Sequence, residues 1–284
     1  MREKKNPNSA ERLYKFFIYL VLIMLAVSII IPVAWVFMAS IKQNKEFYGN
    51  PWTLPEGFYF QNFIDAWNTA KMGDYMLNSV LVTALALVIL LIVALPAAYC
   101  LSRFKFKGSK FLNAAFMGGL FINVNYIVVP IFLMLRDGDN WLKSVIGKSF
   151  LLNNLVILAI VYAATALPFT IYLLSGYFST LAHDYEEAAY IDGAGYSTTM
   201  WKIIFPMAKP SIITIILFNF LSFWNEYIIS MTLMSSAKGT ENITGRIIKS
   251  DAGTAVSSTG MELCIAGLVI VMLPYINFIY MCSE

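Results

Sequence analysis

Charge is scarce in this sequence. Only 13% of its 284 residues are Asp, Glu, Lys or Arg, while 59% are hydrophobic. The charged share is about half that of ordinary soluble proteins. A chain this apolar cannot hide its surface in one globular core, so lipid is expected as its solvent. Cysteine is sparse too. Cys100, Cys264 and Cys282 lie far apart with no CxxC pair, and are expected to serve as small buried apolar residues. The single histidine, His183, falls outside the apolar runs. No run offers a pair of carboxylates, a Ser with a His, or a metal-ligand cluster, which argues against an intramembrane enzyme. No GxxxxGK[ST] phosphate loop occurs. The net charge of +3 is small, and Lys and Arg sit at segment ends, so nucleic acid is not indicated. Residues 1–15 hold no cleavage site of small residues, so the first apolar run is expected to remain as a permanent span.

What is present is a series of long uncharged runs. Nothing is charged between Lys15 and Lys42, Asp74 and Arg103, Lys110 and Arg136, Lys148 and His183, or Glu262 and Glu284. The run from Lys209 to Lys238 holds only Glu226. About 20 helical residues cross a hydrocarbon core of ~30 Å. The expected fold is therefore all-α, a polytopic membrane protein with six transmembrane helices. Their expected ranges are Phe16–Met38, Tyr75–Leu101, Phe111–Leu135, Asn154–Tyr177, Ser211–Leu233 and Met261–Tyr280. Residues 1–15 form a tail and residues 16–284 the membrane domain.

Two compact basic clusters set the orientation. Arg2, Lys4, Lys5, Arg12 and Lys15 precede the first span, and Arg103, Lys105, Lys107 and Lys110 follow the second. Placing both in the cytoplasm puts both termini inside a prokaryotic cell membrane. The outer loop from Ile41 to Asp74 carries interfacial aromatics, Phe58, Phe60, Phe63 and Trp67, and a short amphipathic helix is predicted over Gln61–Thr69. Its aromatics suit a membrane-surface anchor or contact with a soluble partner. Arg136–Ser149 reads as a polar loop anchored by Trp141 and Leu142, and Ala237–Gly260 as a flexible outer loop.

The loop at residues 178–209 then lies in the cytoplasm. Asp184, Glu186, Glu187 and Asp192 make it an acidic island with no Lys or Arg as far as Gly193. Its local pattern is helix–turn–helix. Asp184 and Glu187 have capping-box spacing. Ala188 and Ala189 favour helix and allow close approach. Gly193 can end the helix in the left-handed conformation. Ser197 can cap a second helix that must stop near Pro206. These features suit a docking surface, and equally a solvated helical linker.

The same stretch resembles the EAA loop of ABC-importer membrane subunits, of the carbohydrate-uptake branch. Glu187, Ala188, Ala189, Gly193, Ile203 and Pro206 match that loop in spacing, and Phe205 stands where the family has Leu. Asn78-Ser79, Ala97-Ala98-Tyr99 with Arg103, and Trp224-Asn225-Glu226-Tyr227 extend the likeness. The sequence departs from the family in having no C-terminal extension after the last run. The resemblance implies a type I importer permease fold. It implies a second homologous permease, two cytoplasmic ATPase subunits that bind ATP and Mg²⁺, and an extracytoplasmic solute-binding protein as partners. It also implies a sugar or oligosaccharide as cargo and no cofactor of the chain's own. The docking residues would be Glu187, Ala188, Ala189, Gly193, Ile203, Phe205 and Pro206, with Glu187 pairing with a basic residue.

A second constellation lies in the fifth run. Glu226 sits ~22 Å along a helix counted from Ser211, at ~1.5 Å per residue. A carboxylate near the membrane centre costs about 2.5–3.5 kcal/mol on insertion scales, so it should face protein or water. Asn219, Ser222, Glu226 and Ser230 follow spacings of three and four and would form one polar stripe, with Asn225 on its shoulder. Asn123 and Asn125 fall within the third run. The stripe suits either hydrogen bonding between helices or, with the resemblance admitted, the wall of a sugar path. Trp224 and Tyr227 would supply stacking surfaces. Rival readings are a permease for another small solute and an ion-coupled secondary transporter using Glu226.

Overall fold

A computed structural model describes residues 9–69, 72–234 and 261–283, with the side chains at 9–10, 261–264 and 281–283 left out. Every regular element among the described residues is a helix, with no strand. The chain divides into two units, one of residues 1–69 with 253–270 and one of residues 70–252 with 271–284. The final helix, Met261–Ser283, contributes residues to both.

The first unit opens with α1, Ser9–Ser40. From Leu13 to Val33 its large apolar side chains are exposed along every turn. A helix apolar all round and unburied within its own chain needs lipid or another subunit against it. Two short helices follow, α2 (Asn44–Gly49) and α3 (Gln61–Thr69). The second has the predicted bounds, with Asn62 and Ala66 inward and Ile64 and Trp67 outward. Lys42 is fully buried, and its ammonium donates to the carbonyls of Asn50 and Pro51 and to Thr53 Oγ1 at 3.2–3.3 Å. Asn62 Nδ2 donates back to the carbonyls of Ser40 and Lys42. This loop is thus tied by buried polar bonds as well as by its aromatics.

The second unit is built on α4 (Met72–Arg103) and α7 (Leu155–Thr180). Ala86, Ala94 and Ala98 on α4, and Ala159 and Ala163 on α7, are buried. Small side chains at such positions let helix backbones approach closely where lipid supplies no hydrophobic drive. Leu90, Leu158, Leu174 and Phe178 fill the remaining space. Cys100 on α4 is exposed, not buried as expected. The side chains of Cys264 and Cys282 and the loop Ala237–Gly260 lie outside the described residues.

The third run is not one straight helix. It divides into α5 (Ser109–Gly119) and α6 (Val124–Ile146), bent by 105°. Asn123 makes the break: its side chain accepts from the Asn125 amide and caps α6. Helix α6 then continues through Arg136–Ile146, where a loop was expected. Polarity ended there but helix did not. Asp139, itself buried, accepts from the amides of Phe150 and Leu151 and so closes the turn after α6. α5 lies against α7, and a Cβ on Gly119 would meet Pro168 at 3.0 Å. Gly119→Val will therefore cost about 1–3 kcal/mol by overpacking. Thermal unfolding of the purified protein will show it, with Gly118→Ala, which meets nothing within 4 Å, as the unaffected control.

After α7 come α8 (Asp184–Ile191), α9 (Tyr196–Met207), α10 (Lys209–Asn225) and α11 (Ile228–Leu233), then α12, the Met261–Ser283 helix. α9 and α10 meet at 74°. Helices α1, α4 and α7 are long and apolar enough to cross a membrane, and counting each bent pair as one span gives up to five. α12 is apolar over the shorter stretch Ile265–Tyr280. The fifth expected span is broken at Glu226 and Tyr227, between α10 and α11.

Candidate functional site

The acidic island forms two short helices joined at Gly193. Helix α8 begins after His183, so Asp184 lies inside it and the expected capping box is not made. Asp184, Glu186 and Glu187 instead crowd its first turn, where the exposed amides favour negative charge. Gly193 ends the helix with φ +78, as its sequence position suggested. α9 starts after Gly195, and Ser197 makes no cap bond. The helix stops near Pro206, as expected: a π turn over Met200–Ile204 widens the coil, and the helix ends at Met207 before turning at Ala208. Pro206 lacks an amide to donate, so a locally altered hydrogen-bond pattern accommodates it.

Two adjacent glutamates have opposite fates. Glu186 is buried, whereas Glu187 is exposed. The Glu186 carboxylate meets Nε of Arg103, the last residue of α4, at 3.2 Å. Arg103 is itself only 2% exposed in its side chain. Its guanidinium also donates to the Leu181 carbonyl at 2.9 Å and reaches the His183 ring at 3.2 Å. One cation thus gathers the start of α8 onto the end of α4. Ala189 is buried on the same side, while Ala188 and Ile191 face outward, Ile191 at 87% exposure. Tyr190 and Tyr196 touch edge to face, and partial burial, followed by Tyr196 and Glu186, raises the Tyr190 hydroxyl above the usual tyrosine range.

The remaining docking candidates divide. Gly193 and Pro206 are exposed, Ile203 is half-buried, and Phe205 is turned into the chain's own core. Phe205 stacks on Phe178 of α7 and meets Trp201 edge to face, so it holds the loop to the helices above it. The sequence showed Arg103 as an orienting charge and as part of the family likeness, not as a partner of the acidic island. Its partner lies about 80 positions away, beyond any local pattern.

The polar residues of the fifth run do not form one stripe. Asn219 is buried and bonds Thr170 on α7 and its own helix at Ile215. Trp224 is buried and stacked on Phe220. Ser222, Asn225 and Tyr227 are exposed. Glu226 is the residue at which the helix breaks: Oε1 accepts from the Ile229 amide and Oε2 from the Ser230 amide and Tyr162 Oη, at 3.0–3.3 Å. It caps α11 much as Asp caps a helix. Glu226→Leu will lower stability by about 1–3 kcal/mol, because buried amide donors lose their partner, and Glu226→Gln by less. Thermal unfolding of the purified protein measures both. In α6, Asn123 is the cap at the bend, and Asn125 and Tyr126 are exposed. Among the described residues no group of three His, Cys, Asp or Glu could hold a metal ion.

Three comparisons bear on this arrangement. Residues 94–281 match the family model described as binding-protein-dependent transport system inner membrane component. The chain is 35% identical over 225 residues to the diacetylchitobiose uptake system permease protein NgcG of Streptomyces coelicolor, covering 79% of this chain and 71% of that one. It is 31% identical over 259 residues to the probable ABC transporter permease protein YurM of Bacillus subtilis, covering 91% and 81%. The melibiose/raffinose/stachyose import permease protein MelC of Bacillus subtilis is 29% identical, over 73% and 71%. In fold, the chain is similar to one from a bacterial ABC transporter involved in the import of the acidic polysaccharide alginate, with TM-score 0.79, 23% identity and 99% of each chain covered.

Proposed function

The chain belongs to the binding-protein-dependent transport system inner membrane component family, and on that premise we propose that it is one of two permease subunits of an ATP-driven importer for a sugar or oligosaccharide. A second, homologous permease completes the path. Two cytoplasmic ATPase subunits bind ATP and Mg²⁺, and an extracytoplasmic binding protein delivers the cargo. In this reading both termini are cytoplasmic. Helix α8 enters a cleft of an ATPase subunit and passes its motion to the spans. The observation that carries this reading is the asymmetry of α8. One side is locked to α4 through Arg103 and Glu186, and the other, with Glu187, Ala188 and Ile191, is left free. A force applied to that free side reaches a spanning helix directly.

The sugar assignment rests on the printed roles of relatives such as NgcG and MelC. Exposed Ser222, Asn225, Tyr227 and Asn125 are the residues offered to the path. Asn219 and Trp224 support the helices, and Asn123 and Glu226 shape its breaks. The two oxygens of Glu226 are already engaged, which weighs against an ion-coupled carrier using that group. Reconstituted with its co-purifying subunits and binding protein, the importer will take up sugar only with ATP and Mg²⁺ present. The purified chain alone will show no ATP turnover. Uptake driven by an ion gradient without ATP would overturn the reading.

A further inference from the structure

A cavity of about 300 Å³ lies between α4, α5 and α7, at the end of the second unit that carries α8. It does not belong to the constellation at Asn225 and Glu226. Its walls hold Ser102, Asn113, Tyr172, Ser175 and Ser179, with Phe116 among the apolar faces, and no charged side chain lines it. One of its polar groups is idle: the Asn113 amide makes no hydrogen bond among the described residues. Ser102 lines the cavity with its other atoms, its hydroxyl being shut off from solvent. Ser175 and Ser179 donate to carbonyls one turn back on α7, which leaves their oxygen lone pairs as acceptors. Tyr172 presents a ring nearly half exposed.

An uncharged set of hydroxyl and amide groups beside an aromatic face is not the chemistry of a phosphate or a lipid headgroup, which calls for cations. It matches a neutral, polyhydroxylated ring. We propose that this cavity is a second sugar site, on the ATPase-facing side of the membrane, that holds one neutral hexopyranose unit. The inference rests on the sugar-import reading and extends it. The ring would bridge α4, α5 and α7 next to the Arg103–Glu186 lock, so its occupancy would bear on the helices that α8 moves.

The test uses the assembled transporter in nanodiscs, with D-glucose and N-acetyl-D-glucosamine as probes and saturation-transfer NMR as readout. Both sugars are expected to bind, and Asn113→Leu is expected to weaken binding about tenfold, as loss of the amide's hydrogen bonding does. Ser179→Ala, which removes an acceptor and leaves packing intact, is expected to weaken it by a smaller factor. Binding unchanged in both variants, or no binding to the parent, overturns the site. ATP-dependent uptake is recorded on the same preparation. Uptake without binding at this cavity removes this inference and leaves the importer reading standing, whereas absence of ATP-dependent uptake removes that reading.

Discussion

Arg103→Leu will leave the helices inserted and will abolish transport. The guanidinium ties the end of α4 to the Glu186 carboxylate, and both side chains are at least nine-tenths buried. Removing one partner of such a pair strands the other charge in a poor solvent, at a cost of about 3–5 kcal/mol. A domain's whole stability is about 5–15 kcal/mol. The large core between α4 and α7 does not depend on this pair, so the loss falls on the docked position of α8. At ~1.4 kcal/mol per factor of ten, that position becomes rarer by about two to three and a half orders of magnitude. Arg103→Lys keeps the charge but not the fork that also reaches the Leu181 carbonyl, and will restore part of the activity. Uptake assays give the first readout. Limited proteolysis between residues 181 and 195 gives the second, with faster cleavage expected in Arg103→Leu.

Glu187→Lys will have a comparable effect on uptake for a different reason. Glu187 is exposed and has no side-chain partner among the described residues, so its reversal costs the isolated subunit little. The helix-terminal contribution is about 0.3–1 kcal/mol. In the assembled importer the new ammonium would face the basic residue proposed to receive Glu187. Like charges brought together at an interface cost several kcal/mol. Uptake is expected to fall at least about tenfold, with loss of the ATPase subunits on co-purification, while Glu187→Ala loses much less. Unchanged uptake in Glu187→Lys would remove Glu187 from the docking surface.

These two glutamates also show where reading the sequence stopped. The amphipathic spacing of Gln61–Thr69, the long apolar runs of α1, α4 and α7, and the glycine turn at Gly193 are local properties, and each was legible. Breaks that depend on a side chain bonding its own backbone were not. Asn123 and Glu226 looked like polar residues within continuous spans, yet each spends its oxygens on capping a new helix. Charge alone misplaced the end of α6, because Arg136–Lys143 continues the helix outside the apolar band. Exposure of Cys100 and burial of Phe205 depend on which helix face meets which neighbour. Most of all, the sequence marks Glu187 through its motif spacing but is silent on Glu186, whose partner comes from another helix.

The central claim is that α8 is where a separate ATPase grips this subunit. A photo-crosslinking amino acid in place of Ile191, the most exposed large apolar side chain of α8, probes it directly in the assembled importer. A covalent adduct with the ATPase subunit, formed at high yield and altered by ATP, is the expected result. An Ile191 probe that labels only water or lipid in an intact, transporting complex would contradict it.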